Sequence, residues 1–260
     1  MTLLAAERLN KRFGGVVAAK DVTFALSGGE MLAIIGPNGA GKSTTFNMVG
    51  GQLRPDTGRV TLAGQDITGM PPRAVCRMGV GRTFQMAQTF LSMSVVENVQ
   101  MALIAHAGRT RDMVARTSAL YRTEGVALLD KVGMAAQADR PIGELAYGDV
   151  KRVELAIALA ASPRLLLMDE PTAGMAPRER AALMSLTANI AREDGIGVLF
   201  TEHDMDAVFA HADRILVLVR GEIIAQGTPE EVRADEQVKR VYLGTTGHKA
   251  ALRARKTAHV

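Results

Sequence analysis

Nine consecutive residues, Gly36-Pro37-Asn38-Gly39-Ala40-Gly41-Lys42-Ser43-Thr44, follow directly on the apolar run Met-Leu-Ala-Ile-Ile at 31–35. Glycine at the first and sixth positions, then Lys and a hydroxyl, is the spacing of a loop that wraps a phosphate chain. The glycines let backbone N–H groups turn inward around the anion. Lys42 has the reach for the β- and γ-phosphates, and the Ser43 hydroxyl is a ligand for Mg²⁺. A helix predicted over 42–50 would begin at the phosphates, with the positive end of its dipole facing them. The chemistry implied is binding of a nucleoside triphosphate.

A second set of polar residues closes other apolar runs. Leu165-Leu166-Leu167-Met168-Asp169-Glu170 reads as a buried strand ending in two carboxylates. Next to a phosphate loop, the first carboxylate is placed to hold Mg²⁺. The second is then placed to orient and deprotonate an attacking water. Val198-Leu199-Phe200-Thr201-Glu202-His203-Asp204 is a further strand with a polar end, from which His203 would reach the γ-phosphate region. Gln85, after Val80-Gly81-Arg82-Thr83-Phe84, is a candidate Mg²⁺ ligand and sensor of the γ-phosphate.

These residues need a scaffold that brings strand ends to one edge. The apolar runs at 31–35, 164–168, 196–200 and 214–219 are strand-length and continuous, as in strands buried on both faces. Helical patterns separate several of them, which predicts an α/β fold around a mainly parallel sheet. The first 30 residues and 58–69 carry short strands and Gly-rich turns, and predict a small antiparallel layer. Ser94-x-x-Glu97 and Thr228-Pro229-x-Glu231 are capping boxes that open helices. Residues 94–161 are helix-like with a break at Pro141-Ile142-Gly143, too long for a simple crossover, and predict an inserted helical subdomain. The division expected is a discontinuous nucleotide-binding core at 1–85 and 165–235, a helical subdomain at 86–164 and a basic tail at 236–260.

Composition narrows the class. The chain has 260 residues, 47 % of them hydrophobic, and no run of 18 apolar residues, so no membrane-spanning helix is expected. The start, MTLLAAERLNKRF, lacks the pattern of a secretory leader. The single Cys76 cannot form an internal disulfide and is expected as a small apolar filler. Net charge is +4, but the segment from Lys239 to the end holds six Lys/Arg and no acid, leaving 25 basic against 27 acidic residues elsewhere. The excess belongs to a tail, expected to be solvated and mobile, and nucleic acid is not an expected partner.

The order of motifs carries a resemblance. The phosphate loop at 36–44, Gln85, the motif Leu145-Ala146-Tyr147-Gly148-Asp149, Asp169-Glu170 and then His203 resemble the ATP-binding subunit of an ABC transporter over about residues 3–235. The resemblance implies a P-loop NTPase (RecA-like) core, ATP and Mg²⁺ as ligands, Phe13 stacked on adenine, Gln85 in the Q-loop and Ala173-Gly174-Met175-Ala176 as the D-loop. It implies Glu170 as catalytic base, with Lys42 and His203 on the γ-phosphate. Two such subunits would sandwich two ATP molecules, each site pairing one chain's phosphate loop with the other's signature motif. Integral-membrane permease subunits and a substrate-binding protein would be separate chains, and the subunit would sit at the cytoplasmic face of the membrane.

A narrower likeness lies in Phe13-Gly14-Gly15, Arg82-Thr83-Phe84-Gln85 and Val241-Tyr242-Leu243-Gly244, which resemble branched-chain amino-acid importers. Urea and amide importers share much of this pattern, and 238–244 also resembles the lipopolysaccharide-export ATPase. Soluble ABC ATPases of DNA repair or translation usually carry a coiled-coil insert or tandem cassettes, and this chain has neither. A P-loop kinase would leave 145–149 and His203 unexplained. One departure stands out: the usual signature Leu-Ser-Gly-Gly-Gln is Leu-Ala-Tyr-Gly-Asp here. Ala146 removes a hydroxyl, and Asp149 places a carboxylate where the opposing γ-phosphate would arrive.

Overall fold

The computed structural model describes residues 1–83, 89–108 and 120–241. In chain order its first strands are β1 (Thr2–Phe13), β2 (Val16–Ser27) and β3 (Met31–Ile35), followed by α1 (Lys42–Val49), β4 (Thr57–Leu62), β5 (Gln65–Asp66), α2 (Pro72–Arg77) and β6 (Val80–Thr83). Helices α3 (Val95–His106), α4 (Arg122–Lys131) and α5 (Tyr147–Leu159) come next. Then follow β7 (Leu165–Asp169), α6 (Pro177–Asp194), β8 (Gly197–Thr201), α7 (Met205–His211), β9 (Arg214–Val219), β10 (Glu222–Gly227) and α8 (Pro229–Ala234).

The four apolar runs become neighbours in one six-stranded sheet of order β10-β9-β3-β8-β7-β6. All its pairings are parallel except that of β9 with the edge strand β10. Both faces are covered, and alternate residues of each strand enter different cores. Met31, Ala33, Ile35, Leu166, Met168, Val198 and Phe200 pack toward the helices. Leu32, Ile34, Leu165, Leu167 and Leu199 pack toward α1 and the second sheet. That sheet is antiparallel, of order β2-β1-β4-β5, as the pattern of the first 30 residues and 58–69 predicts. Continuous apolar runs are thus what a strand inside two cores requires.

Two strands run one residue past the apolar stretch, to Asp169 and Thr201, because these polar residues pair with each other across the sheet. The described residues between β6 and β7 form helices and 3₁₀ turns, with no strand among them. Pro141, at the break in this region, bridges back to Ser94 at the start of α3. Ser94 and Glu97 form the expected capping box, and so do Thr228 and Glu231. Cys76 corrects its expectation: it is exposed, because the short α2 buries only Val75. The tail beyond Val241 lies outside the described residues.

The Ser94 box has a measurable worth. Its side chain accepts from Glu97 N at 3.3 Å while Glu97 Oε2 accepts from Ser94 N at 2.7 Å. Ser94→Ala removes one half of the exchange and is expected to lower unfolding free energy by about 1 kcal/mol in urea titration. A loss below about 0.3 kcal/mol would show that packing alone fixes the start of α3.

Candidate functional site

Strand β3 lies between β8 and β9, and its C-terminal end releases the glycine loop into the crevice where ligands bind in such sheets. The loop is folded by steric exclusion. Gly36 has φ +154°, and an added Cβ would overlap the Leu218 carbonyl oxygen. Gly41 has φ +102°, and its Cβ would overlap the Ala18 carbonyl oxygen on β2. Only glycine lets the backbone lie this close to both walls. Gly41 also caps α1 without any side-chain hydrogen bond, so the first N–H groups of that helix keep their capacity for an anion.

Lys42 is buried, and its ammonium donates to Gly36 O at 2.8 Å and Pro37 O at 3.2 Å. Burial pushes its pKa below the ordinary lysine value, while Glu170 and Asp169 act in the opposite direction. The lysine therefore lies in the field of both carboxylates. Ser43 is exposed at the start of α1, and Thr44 is half-buried.

The carboxylates come from β7. Asp169 faces Thr201 of β8 in register, and the Thr201 hydroxyl donates to Asp169 Oδ1 at 2.7 Å. Past the strand end the chain turns sharply at Glu170, a non-glycine residue at φ +48°. Glu170 N donates to Thr201 O at 3.1 Å and to Thr201 Oγ1 at 3.1 Å, which holds the turn. Such a backbone persists only where its surroundings fix it. Glu170 Oε1 then lies 2.7 Å from His203 Nε2. On the far side, Arg82 of β6 stands 3.9 Å from Asp169, donates to Asn47 Oδ1 at 2.9 Å and covers the Phe46 ring. Burial lowers the Arg82 pKa, opposed by Asp169.

The fold thus gathers Gly36, Pro37, Asn38, Gly39, Ala40, Gly41, Lys42, Ser43, Thr44, Asp169, Glu170 and His203 at one edge of the sheet. Phe13 and the segment 145–149 are carried by other elements, the β1–β2 hairpin and the start of α5. Phe13 is half-exposed at the end of the β1–β2 hairpin, with the Lys11 ammonium 5.8 Å from its ring centroid. Leu145, Ala146, Tyr147, Gly148 and Asp149 lead into α5, whose N-cap Ala146 offers no side-chain bond. Gly148 has a local reason: its Cβ would lie 3.1 Å from the Glu179 carboxyl carbon of α6. Gln85 lies outside the described residues.

Sequence reasoning passed over Glu202. It is buried, and its carboxylate accepts from Thr172 and from the His203 amide. An acid between a strand-end threonine and a histidine was its only signal. The donor set also suits Mg²⁺: the Ser43 hydroxyl and the Asp169 carboxylate are hard oxygens beside a cradle for phosphate. Among the described residues no group of three or more His, Cys, Asp or Glu could hold a metal.

Comparison with known proteins adds independent findings. The ABC transporter family model matches residues 19–173, and a model described as branched-chain amino acid ATP-binding cassette transporter matches 222–248. The chain is 39 % identical over 251 residues to the high-affinity branched-chain amino acid transport ATP-binding protein LivG of Salmonella typhimurium, covering 93 % of this chain and 98 % of LivG. It is 36 % identical over 244 residues to the lipopolysaccharide export system ATP-binding protein LptB of Escherichia coli, covering 94 % and 98 %. Among solved structures it is similar to an ATP-binding cassette of an ABC transporter in its ADP conformation. That likeness has TM-score 0.84, 32 % identity, and covers 94 % of this chain and 99 % of the other.

The glycine loop supplies a controlled test. Nothing lies within 4 Å of a Cβ built on Gly39, whereas one on Gly41 meets the Ala18 backbone. Gly39→Ala is expected to cost only the left-handed backbone strain, about 1 kcal/mol. Gly41→Ala must in addition move the loop, and is expected to weaken binding of a fluorescent ATP analogue by about 10-fold or more. Equal losses at the two positions would contradict the close approach of β2.

Proposed function

Because the chain belongs to the ABC transporter family of ATP-hydrolysing cassettes, we propose that it powers import of branched-chain amino acids through separate permease subunits. The observation that carries the catalytic part is the meeting of the glycine loop with the Asp169, Glu170 and His203 cluster at one sheet edge. The amino-acid part rests on the likeness to LivG and on the matching C-terminal model. Among the described residues no helix is long and apolar enough to cross a membrane. In this reading the permease holds the chain at the cytoplasmic face of the membrane, as the likeness to transporter ATP-binding proteins suggests, with a substrate-binding protein on the other side.

The chain's residues divide the work of phosphoryl transfer to water. Backbone N–H groups from 36 to 44 hold the phosphates, and Lys42 balances charge that builds on the β- and γ-oxygens. Glu170 orients the attacking water and takes its proton, with its own carboxylate aimed by His203. His203, exposed beside it, contacts the γ-phosphate. Ser43, Asp169 and Gln85 would hold Mg²⁺, which would supply further charge neutralisation. Phe13 takes the adenine. The core is residues 1–85 and 165–235, and 86–164 is the helical subdomain that links it to the permease.

A second ATPase subunit would complete each site with its own signature. The signature given by this chain is weak in a specific way. Ala146 lacks the hydroxyl that would bond the γ-phosphate, Asp149 lies in the first turn of α5, and Glu179 packs against Gly148. Two carboxylates near that helix start oppose an arriving anion. The ATP held by this chain's own glycine loop is free of that defect.

Docking falls to the segment just before α3. Phe90 and Leu91 are exposed, and the Phe90 backbone is pinned by the buried Asn98 side chain at 2.8 and 3.2 Å. An apolar pair held out on a fixed backbone suits a partner protein.

Three measurements test this reading. In a strain lacking the gene, uptake of labelled leucine should fall to background and return with the wild-type chain. Unchanged uptake together with defective lipopolysaccharide export would overturn the amino-acid assignment. Glu170→Gln keeps shape but cannot take a proton, so phosphate release should fall by roughly 10²-fold or more while ATP still binds. Release near the wild-type rate would remove Glu170 as base. Phe90→Asp should abolish uptake and spare ATP hydrolysis by the isolated subunit, and normal uptake would refute the docking surface.

A further inference from the structure

We infer that Glu202 is a positioning residue for hydrolysis, a carboxylate latch that fixes the loop bearing Glu170 against the loop bearing His203. The inference rests on the assignment of Glu170 and His203 to the reaction.

Three donors converge on this one buried group. Thr172 N donates to Glu202 Oε1 at 2.9 Å, and the Thr172 hydroxyl donates to the same oxygen at 2.6 Å. His203 N donates to Oε2 at 3.1 Å. Glu202 is 5 % exposed and Thr172 is 1 % exposed, so water does not substitute for either partner. Among the described residues Glu202 forms no ion pair; its charge is met by these hydrogen bonds. Burying a carboxylate is costly, and a buried one met by three donors is strongly fixed in place.

The two residues it joins belong to the two halves of the reacting edge. Thr172 stands two residues after Glu170, in the loop between β7 and α6. His203 stands next to Glu202, in the loop between β8 and α7. The two loops meet at the contact of Glu170 Oε1 with His203 Nε2, 2.7 Å. That contact joins two side chains that are themselves partly exposed, 22 % and 53 %. Its geometry therefore depends on how well the two backbones are held. A second tie runs alongside: Arg180 of α6 forms an ion pair with Asp204 and donates to Met175 O at 3.3 Å. The Arg180 and Asp204 side chains are partly exposed, 22 % and 31 %, and Glu202 is the buried member of the pair of ties.

The chemistry of the latch requires both oxygens to accept. In Glu202→Gln the amide nitrogen must face either the Thr172 donors or the His203 N–H, so a donor meets a donor in both orientations. The substitution changes almost no volume, which separates loss of the latch from loss of packing. Removing Thr172's hydroxyl with Thr172→Val cuts the same link from the other end.

The test uses the full-length chain in its assembled transporter, with MgATP as substrate and thermal unfolding read in parallel. Glu202→Gln should lower kcat by about 10- to 100-fold and leave KM for ATP within about threefold, because the phosphate loop is untouched. Thr172→Val should lower kcat in the same direction, and Thr172→Ser, which returns the hydroxyl, should recover most of that loss. The double variant Glu202→Gln with Thr172→Val should be no slower than the worse single variant, since both cut one link. A kcat for Glu202→Gln within about twofold of wild type overturns the inference, as does multiplication of the two losses in the double variant. If Glu202→Gln does not fold, the comparison of Thr172→Val with Thr172→Ser decides, and equal rates overturn it. Glu170→Gln is run alongside. Wild-type turnover in that variant would mean that the assignment of Glu170 has failed; an inactive Glu170→Gln beside an active Glu202→Gln would mean that only the latch has.

Discussion

The site depends on the parallel register of β7 against β8, in which Asp169 stands opposite Thr201. One pairing sets three consequences. The Thr201 hydroxyl takes one oxygen of Asp169, so the carboxylate faces the crevice in a fixed orientation. The Thr201 backbone and side chain together accept from Glu170 N, so the turn after the strand begins at a defined point. His203, two residues past Thr201, then arrives beside Glu170. Because side chains alternate along a strand, a slip of one residue would turn every one of these groups to the other face. The two apolar cores forbid that slip, since Met168 and Phe200 enter one and Leu167 and Leu199 the other.

Close backbone contact carries the second half of the site. The glycine loop touches β2 at Ala18 and β9 at Leu218, strands from different sheets. It is thereby shaped by the scaffold as well as by its own sequence. Lys42 is buried at its mouth with its ammonium on loop carbonyls; burial lowers its pKa, and the charges of Glu170 and Asp169 oppose that shift. Positive charge, helix N–H groups and two carboxylates are therefore prearranged before any ligand enters, which is how charge stabilisation is made available without reorganisation at the moment of reaction.

Much of this was legible because the signals are local. A glycine that must have positive φ, a lysine after it, and acids at the end of an apolar run are read from adjacent residues. The capping boxes at Ser94 and Thr228 were legible for the same reason. Strand order was not, because nothing in the sequence says that β8 inserts between β3 and β7. The ends of β7 and β8 also ran past the apolar stretches, since Asp169 and Thr201 pair with each other. Glu202 was passed over because its meaning comes from Thr172, 30 residues away. Gly148 reads only as part of the signature motif, yet it makes room for Glu179, a reason visible only in three dimensions. Cys76 was misjudged because burial depends on which side of the short α2 meets the core.

In the function proposed, the glycine loop and the Glu170–His203 pair serve one phosphate. A structure of the chain with a non-hydrolysable ATP analogue and Mg²⁺ tests it most directly. The γ-phosphate is expected between Lys42 and Glu170, with the Lys42 ammonium moved from the Gly36 and Pro37 carbonyls onto phosphate oxygens. A γ-phosphate out of reach of Glu170 and His203, with Lys42 still on those carbonyls, would contradict it.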